Sequence, residues 1–394
     1  MKTNTVAALI CLLLLKAGLS YAGSISLKET DLYIAKRHTQ HFVIELKHPH
    51  RAYSTSKVNG GEQSNIKYLV NHQSMEARNH LERAELILNN KPELYHQMIA
   101  SDLDLDAAQM VLMGTAANMG NLAHSQAAFK DLTVDVFATA GVSGNALRAG
   151  DPTSWYQSRQ GNRSVDYDGT INIIVLVNQP VSSGAQAKIA MLLTEAKSSA
   201  LSELAIPSKR SRHLATGTGT DQFVVVSPIL MGAFERESAS GHLKIGELIG
   251  EAVRKAVLDA LKWQNRITAE SVASVTHALG RFGFSKEFML GTFNQTLSPK
   301  QVNLAKNNFQ SINHDPRLVA AAYGYAQLLD RIEYGVFSPL VAQEILKDYA
   351  AIAATSIAAK PDSYHYFWKQ LSEDGAPIDL FVNALARGWE AKWD

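Results

Sequence analysis

Four polar, glycine-containing segments of the sequence carry the residue types that bind polar ligands or cleave bonds. They are residues 54–61, which Asn71 and His72 follow closely, and residues 139–151, 214–221 and 241–247. Each lies at an end of a predicted strand or helix, and loops at such places carry the function of layered α/β domains. The segments hold hydroxyl, amide, carboxylate and imidazole groups, a set suited to hydrolysis as well as to binding.

The threonine–glycine loop, residues 214–221, offers the hydroxyls of Thr216, Thr218 and Thr220. Asp221 or His242 could orient a base beside them, and successive backbone N–H groups could cradle an anion. The loop precedes a strand, however, whereas the glycines of dinucleotide-binding and P-loop motifs lie between a strand and a helix. Both standard nucleotide motifs are therefore absent, and a tight, multiply hydrogen-bonded turn is the alternative interpretation.

Two further charged candidates lie on a predicted helix. Glu195 is on its polar side, and Lys197 lies at the edge of its apolar stripe, about 160° away around the helix axis. They cannot pair with each other, so each would need a separate role. Ser143 lies outside any Gly-x-Ser-x-Gly elbow, and the sequence has no His-Glu-x-x-His motif. We therefore expect neither a serine triad nor a metalloprotease site, and we predict no metal site.

The elements that would position these residues alternate between strand-like and helix-like stretches. Strands are predicted at residues 53–58, 110–117, 134–140, 171–177 and 223–226, and helices at residues 75–88, 92–100, 184–204 and 243–262. The runs at 171–177 and 223–226 are almost continuously apolar, which is typical of central strands covered on both faces. Residues 45–262 are thus predicted to form an α/β or α+β layered domain with a mixed sheet and flanking helices.

The two ends of the chain differ from this central part. Past Trp263 the β-branched runs stop, and helix starts recur as a capping side chain before a proline, at Ser298-Pro299, Asp315-Pro316 and Ser338-Pro339. Residues 263–394 are therefore predicted to be an all-α C-terminal domain. Residues 23–44 are interpreted as an N-terminal arm. The four histidines between residues 38 and 50 are interpreted as solvent-exposed, since Glu45 is the one acid near them at ligand spacing.

Length, charge and cysteine content bound the class of protein. The chain has 394 residues, 38 basic and 37 acidic side chains and one cysteine. A net charge near zero provides no basic field for nucleic acid, and one cysteine excludes a disulfide framework. Residues 1–22 have a basic start, a short apolar run and small residues at their end, which is typical of a secretory signal cleaved after Ala22. Because Cys11 lies inside that signal, the mature chain would have no thiol nucleophile.

The polar segments, in this order, closely resemble the adenosylcobinamide amidohydrolase family (CbiZ) of corrinoid-salvage enzymes. The resemblance covers roughly residues 45 to 262, and it rests on Ser54-Thr55-Ser56, Asn59-Gly60-Gly61, Asn71-His72, Thr139 to Asp151, Gly169 to Ile174, Thr194 to Lys197, Ala215 to Asp221 and His242 to Glu247. Gly144 stands as an insertion within the second segment. The signal and the helical C-terminal domain are additions to the single-domain form of the family.

The resemblance implies hydrolysis of the amide between a corrin propionate side chain and aminopropanol, which releases cobyric acid. Such a reaction needs a base, donors for the oxyanion and an acid for the leaving amine. We assign Asp221 or Glu195 as the base, the backbone amides of residues 216–220 as the oxyanion donors, and His242 or Lys197 as the acid. The residues expected to bind the amide-fringed macrocycle are Asn59, Gly60, Gly61, His72, Ser143, Asn145, Arg148, Asp151, Asn172, Thr216, Gly217, Thr218, Gly219 and Thr220.

The corrinoid is expected as a substrate, and no cofactor is expected. Ser240 stands where the pattern of cobalamin-dependent mutases has an Asp two residues before His242. The alternative function is a non-catalytic corrinoid-binding protein that delivers its ligand to import machinery. Either function places the mature chain in the periplasm or outside the cell, without nucleic acid and without stable membrane insertion after signal cleavage.

Overall fold

A computed structural model describes residues 24–74, 91–153, 169–372 and 375–393. The predicted signal peptide and the predicted helix at residues 75–88 lie outside the described residues. The chain divides into two compact units. The first unit holds the described residues up to Ala146 together with Pro152–Leu201 and Thr216–Arg266. The second unit holds Leu147–Asp151, Ser202–Ala215 and the residues from Ile267 onward.

The first unit contains a five-stranded mixed sheet. Its strands are β1 (Ile25–Glu29), β2 (Tyr33–Arg37), β3 (His41–Leu46), β6 (Tyr68–Gln73) and β7 (Met110–Thr115), in that order across the sheet. Neighbouring strands are antiparallel except β6 and β7, which are parallel. The residues interpreted from the sequence as an N-terminal arm therefore form strands at one edge of this sheet. The strands are so short that they show no clear period in the sequence.

The same unit contains a second, six-stranded mixed sheet. Its strands are β5 (Gly61–Gln63), β4 (His50–Ser54), β13 (Gln222–Pro228), β11 (Ile171–Val177), β9 (Leu132–Ala140) and β8 (Ala123–Phe129), in that order across the sheet. Only β11 and β13 run parallel among these pairs. Two short strands, β10 (Ala146–Leu147) and β12 (Gly217–Thr218), complete the described strands. Every residue of β11 is buried, as its continuous apolar run predicts.

Helices cover the outer faces of the two sheets. Phe42 and Ile44 from one sheet and Phe137 and Ile174 from the other share one apolar core between the sheets. Helix α1 (Pro92–Leu103) packs on the outside of the five-stranded sheet. Helices α2 (Ser183–Glu203) and α3 (Lys244–Asn265) lie on the outside of the six-stranded sheet, where α3 contacts β8 and β9. This four-layer arrangement confirms the predicted layered domain with a mixed sheet and flanking helices.

Strand pairing fixes which side chains face the space between the sheets. Alternate residues of a strand point to opposite faces, and residues directly opposite each other on paired strands share a face. Facing the five-stranded sheet are Asn172, Ile174 and Leu176 of β11 and their partners Thr139, Phe137 and Asp135 of β9. The space between the sheets is therefore apolar in the middle and polar at both ends.

The second unit is built around helices, which confirms the predicted helical C-terminal region. They are α4 (Val275–Leu279), α5 (Lys286–Thr296), α6 (Pro299–Asn307), α7 (Phe309–Asn313), α8 (Pro316–Glu333), α9 (Pro339–Ala358), α10 (Tyr364–Gln370) and α11 (Pro377–Ala391). Ser298 caps α6 in a capping box, and the carboxylate of Asp315 accepts the first free amides of α8. Ser338 precedes α9 as predicted, but its side chain makes no capping hydrogen bond.

The structure corrects one interpretation of the early histidines. His50 is 2% exposed, so the interpretation of the early histidines as surface groups is wrong for this residue, which β4 turns towards the space between the sheets. Among the described residues, no helix is long and apolar enough to cross a membrane.

Candidate active site

A buried ion pair joins α2 to the loop before β13. The ammonium of Lys197 bonds directly to Oδ2 of Asp221, although 24 residues separate them along the chain. Helix α2 runs alongside β13 on the face of the sheet, and this direction places Lys197 next to Asp221. Near the start of the helix, Gln186 donates to the carbonyl of Arg51 on β4, the strand that neighbours β13. The side chains of Lys197 and Asp221 are 11% and 16% exposed, so the pair is shielded but not closed off.

Asp221 collects hydrogen bonds from three further donors. Thr218 donates its backbone amide to Oδ2 at 3.0 Å and its hydroxyl to Oδ1, and the amide of Ile171 donates to Oδ1 at 3.0 Å. A carboxylate offers about four acceptor positions, so these bonds and the ammonium use the whole set. Asp221 therefore fixes the Thr218 loop, the start of β11 and Lys197 relative to one another.

Gly217 lies directly against this ion pair. A Cβ atom at this position would stand 2.4 Å from Asp221 Oδ2 and 2.6 Å from Lys197 Nζ, both far closer than carbon can approach these atoms. The pair thus requires the absence of a side chain at residue 217. The first glycine of the threonine–glycine loop is therefore required by the packing around it, and not by its backbone dihedral angles alone.

Asn145 and Thr220 close the loop from the other side. Asn145 is 4% exposed and donates to the carbonyl of Gly169 and to the hydroxyl of Thr220, both at 3.0 Å. The hydroxyl of Thr170 donates to the carbonyl of Thr220 at 2.8 Å. Gly219 and Thr220 are exposed, so the tip of the loop is open to a ligand while its base is held by a buried network.

A second polar network lies between the two sheets at the same end of the domain. Asn71 donates to the hydroxyl of Thr139 at 3.0 Å, and Asn172 donates to Asn71 at 2.9 Å and to the carbonyl of Gly114 at 3.0 Å. The remaining oxygen of Asn172 and the hydroxyl of Ser54 are buried without a partner among the described residues. The network ties the two sheets together immediately beside Ile171, whose amide bonds Asp221.

Sequence reasoning selected Asn172 but missed Ser54, Asn71 and Thr139 as site residues. Ser54 and Thr139 lie inside the polar segments and Asn71 closely follows the first of them, so the signal was present. They were not singled out because residues 71 and 139 belong to different sheets, and the order of strands in those sheets does not follow the sequence.

Several predicted binding residues have structural partners here. Asn59 adopts a left-handed conformation, with φ of 55°, and donates to the carbonyls of Ala107 and Met110. A Cβ on Gly60 would stand 2.0 Å from the carbonyl oxygen of Ser56, so only glycine fits there, and Gly61 follows as the first residue of β5. His72 is fully buried and bonds the hydroxyl of Tyr95 at 2.5 Å. Asn59 and Gly60 thus shape the turn before β5, whereas His72 contacts α1 through Tyr95.

Glu195 and His242 are not brought to the ion pair. Glu195 is exposed on the solvent side of α2, whereas Lys197 is buried on the opposite side, as their predicted angular separation requires. His242 is exposed just before α3, whose first residue Lys244 lies 5.0 Å from the ring of Phe129 at the last position of β8. That is the far end of the sheet, because β13 runs the length of the sheet before the chain reaches His242. The sequence-based grouping of either residue with Asp221 is therefore corrected.

Ser143 is exposed, and its hydroxyl accepts a hydrogen bond from Asn265 at the end of α3 at 2.7 Å. Thr216 accepts a hydrogen bond from the Ser198 hydroxyl of α2 at its carbonyl. Within the part of the chain that the structure describes, no group of three His, Cys, Asp or Glu side chains could hold a metal ion.

Arg148 and Asp151 belong to the second unit. Arg148 donates to the hydroxyl of Tyr334 at 2.6 Å. Asp151 accepts the hydroxyl of Ser208 at 2.6 Å and the amide of Arg148 at 2.8 Å. Burial would raise the pKa of Asp151, but hydrogen bonds from Ser208, Ser211 and Arg148 outweigh it and hold the pKa below its usual value. These two motif residues thus order a segment that packs with the helices.

Comparison with known proteins finds a family model and a relative that match the sequence. The model of the family described as adenosylcobinamide amidohydrolase (CbiZ) matches residues 25–269. An uncharacterized protein of Methanocaldococcus jannaschii is 36% identical over 183 residues, which cover 44% of this chain and 71% of the relative.

Similar solved structures are distant. A protein of Pyrococcus horikoshii has a TM-score of 0.29 and 11% identity, and the match covers 61% of this chain and 83% of that protein. A β-aminopeptidase of a Burkholderia species has a TM-score of 0.29 and 12% identity, with 60% of this chain and 82% of that chain covered. An L-aminopeptidase D-Ala-esterase/amidase of Ochrobactrum anthropi has a TM-score of 0.27, 11% identity and the same coverage. The family match spans the whole four-layer domain and all the polar segments, and on that basis the chain belongs to the adenosylcobinamide amidohydrolase family.

Proposed function

We propose that this chain hydrolyses the amide between a corrin propionate side chain and aminopropanol in cobinamide or a related cobamide. Water adds across the C–N bond, which yields the carboxylate of cobyric acid and protonated aminopropanol. One observation carries the proposal: two family-motif segments, at residues 194–197 and 215–221, converge on the Lys197–Asp221 pair in a domain that matches the family throughout.

We assign to Lys197 the stabilisation of the negative charge that develops on the substrate oxygen. An ammonium has three N–H donors, and among the described residues one of these donors bonds Asp221. The others are free to reach a substrate oxygen at the partly open edge of the pair. A fixed cation there would stabilise the tetrahedral oxyanion and then deliver a proton to the leaving amine.

Thr218 is the hydroxyl placed for attack on the amide carbonyl. Its attack would break the C–N bond, release the amine and leave an ester on Thr218, which water would then hydrolyse to the carboxylate and the free hydroxyl. Its proton points at Asp221 Oδ1, which is the arrangement of a nucleophile beside a base. Its backbone amide is already used by Asp221, so it cannot serve as an oxyanion donor as the sequence suggested. That role falls to Gly219 at the exposed loop tip, together with Lys197. A Thr218→Ser variant should keep activity and Thr218→Ala should lose it; equal activity of both would assign the attack to water.

Mass spectrometry tests the proposed reaction. The full chain is incubated with adenosylcobinamide, with cobinamide carrying another upper ligand, and with a complete cobamide, each with and without a chelator. Release of cobyric acid and aminopropanol supports the enzyme, and the substrate arms define the preferred upper ligand. Tight binding with unchanged corrinoid mass in every arm would reject it in favour of a corrinoid-binding protein that serves import.

We also propose that the chain is exported and works in the periplasm or outside the cell, in the service of corrinoid salvage or remodelling. The support is the basic, apolar and small-residue pattern of residues 1–22. Intact-mass analysis of protein recovered from the periplasm or medium should show a chain that begins at Gly23. A chain that stays in the cytosol with residue 1 intact would contradict this localisation.

A further inference from the structure

A cavity lies between the two sheets at the end opposite the Lys197–Asp221 pair. It has a volume of about 260 Å³, and its walls include Tyr33, His50 and Asp135, with Leu176 and Val226 among its apolar side chains. Asp135 and Thr139 face the same space from one strand, four residues or about 13 Å apart. The cavity is therefore separate from the inter-sheet network that adjoins the proposed active site, and no family-motif segment lines it.

The polar groups of this cavity are themselves buried. Tyr33 is 3%, His50 is 2% and Asp135 is 5% exposed. Burial raises the pKa of Tyr33, and Asp135 raises it further through its charge and through a contact between its carboxylate and the Tyr33 hydroxyl. The hydroxyl nevertheless has no partner at good hydrogen-bond geometry among the described residues, so this contact leaves it incompletely satisfied beside an open volume. It is a group that a ligand would satisfy.

Asp135 and His50 supply the buried acceptors of the walls. Oδ1 of Asp135 accepts from Lys28 at 2.5 Å and from His124 at 2.8 Å, whereas Oδ2 accepts a long hydrogen bond from Gln126, at 3.4 Å. Nδ1 of His50 bonds the carbonyl of His48 at 2.6 Å. A carbonyl can only accept, so Nδ1 carries the proton and Nε2 is the acceptor of the neutral ring. Burial lowers the pKa of His50, which favours that neutral form.

The balance of charge points the same way. Asp135 is the buried carboxylate of the cavity, Lys28 is already committed to it, and the exposed Asp31 adds a second carboxylate. A volume of this size holds about eight waters, or one small organic molecule. The apolar side chains would cover a short hydrocarbon body, while the acceptors and the excess negative charge favour an ammonium group over an anion.

We propose that this cavity is a second ligand site, specific for a small aliphatic amine. The ammonium binds at Oδ2 of Asp135, a hydroxyl or second donor on the ligand meets Tyr33 and His50, and the hydrocarbon body lies against Leu176 and Val226. The inference stands on the cavity alone and does not depend on the reaction proposed above. Aminopropanol, which that reaction would release, has the required groups and size.

Isothermal titration calorimetry on the full chain tests the site, with aminopropanol as the probe and propane-1,2-diol as the matched probe without an ammonium. We expect saturable binding of the amine and none of the diol. Tyr33→Phe removes only the incompletely satisfied hydroxyl, so its Tm should stay close to that of the wild type while its affinity falls by at least about tenfold. Asp135→Asn should weaken binding as strongly.

Asp221→Asn distinguishes this cavity from binding of the product at the active site. The variant is titrated at a temperature at which its own unfolding curve shows it folded, and we expect it to bind the amine with wild-type affinity. Loss of binding in folded Asp221→Asn, full retention in Tyr33→Phe, equal binding of the diol, or no saturable heat with the wild type would each overturn the proposal. Cobinamide hydrolysis is measured separately, so a failure of the proposed reaction leaves these results unaffected.

Discussion

Lys197 and Asp221 form a direct ion pair that only a glycine at residue 217 can accommodate. The lysine comes from the middle of a helix on the outer face of the sheet, and the aspartate comes from the turn before a parallel strand. Around the pair, every oxygen position of Asp221 is occupied by a donor from the chain. The arrangement is rigid, partly buried and open at one edge, as a preorganised catalytic charge should be.

Removing one partner of this pair should cost both stability and activity. We expect Asp221→Asn or Lys197→Met alone to lower the free energy of unfolding by about 3 to 5 kcal/mol, because the other charge is left buried and uncompensated or the site loses its anchor. The double variant should recover part of that stability, because no charge is left unpaired, although the amide oxygen introduced by Asp221→Asn can accept from only one of the backbone amides of Thr218 and Ile171. Its kcat should nevertheless stay more than about 100-fold below the wild type. Urea unfolding and cobinamide kinetics measure the two effects, and a double variant with recovered activity would reduce the pair to a structural role.

Gly217→Ala should displace the ion pair. The new methyl group would collide with Asp221 and Lys197, so we expect a loss of about 1 to 3 kcal/mol in stability and a large loss of kcat. Gly184→Ala is the matched control, because a Cβ at this position in α2 meets nothing closer than 4.0 Å. Thermal unfolding should show the control unchanged or slightly stabilised. Equal behaviour of the two variants would contradict the packing described at residue 217.

Glu195→Gln and His242→Ala should both remain active. Neither side chain lies near the ion pair, and both are exposed. We expect less than about a tenfold change in kcat for either variant, which is below the loss that follows removal of an essential acid or base. Steady-state kinetics on cobinamide check this directly. A loss of several hundredfold in either variant would move the catalytic centre to that residue.

His50 should make stability fall in mild acid. Burial lowers its pKa in the folded state below the unfolded value of about 6.5, so the unfolded chain binds more protons between these two values. Stability is therefore highest above about pH 6.5 and declines as the pH falls below it. His50→Asn keeps a donor for the carbonyl of His48 but removes this titration. Its Tm should drop less than that of the wild type between about pH 7.5 and pH 5, and parallel Tm curves would refute the assignment.

A chain that ends at Arg266 should be poorly soluble. Residues 147–151 and 202–215 belong to the compact unit formed with the helices, through Arg148 to Tyr334 at 2.6 Å and through His277 to the carbonyl of Leu204 at 2.8 Å. Truncation exposes the surfaces of both segments. Tyr334→Phe in the full chain is the control and should stay soluble, since it removes one hydrogen-bonding hydroxyl. A truncated chain with the Tm and yield of the full chain would show that these segments need no helical partner.

The sequence predicted local structure better than it predicted proximity. The apolar run at residues 171–177 and the prolines of the helical unit marked their elements closely, because burial on both faces and helix capping leave local signals. Lys197 and Asp221 were both selected, but their direct contact depends on the direction in which α2 crosses the sheet. His242 was misplaced for the same reason, since the direction of β13 decides at which end it lies.

The contacts between the two sheets could not be predicted from the sequence, because they depend on long-range strand order. Asn71 and Thr139 meet because β6 and β9 face each other from different sheets, and no periodicity in either segment encodes that. Likewise, His50 is buried because β4 pairs with β13, a partner far away in the sequence. The sequence thus identifies these residues as polar candidates, but it does not indicate which residues they contact in space.

Isotope-labelled turnover is the most direct test of corrinoid amide hydrolysis at the Lys197–Asp221 pair. The full chain is incubated with adenosylcobinamide, and separately with cobinamide that lacks the adenosyl group, in water enriched in oxygen-18, and the corrinoid is analysed by mass spectrometry. We expect cobyric acid with one oxygen-18 in its new carboxylate and an equal amount of aminopropanol, and no such product from the Lys197→Met, Asp221→Asn double variant. Corrinoid recovered at unchanged mass from the wild type with both substrates, or equal turnover by the double variant, would contradict it.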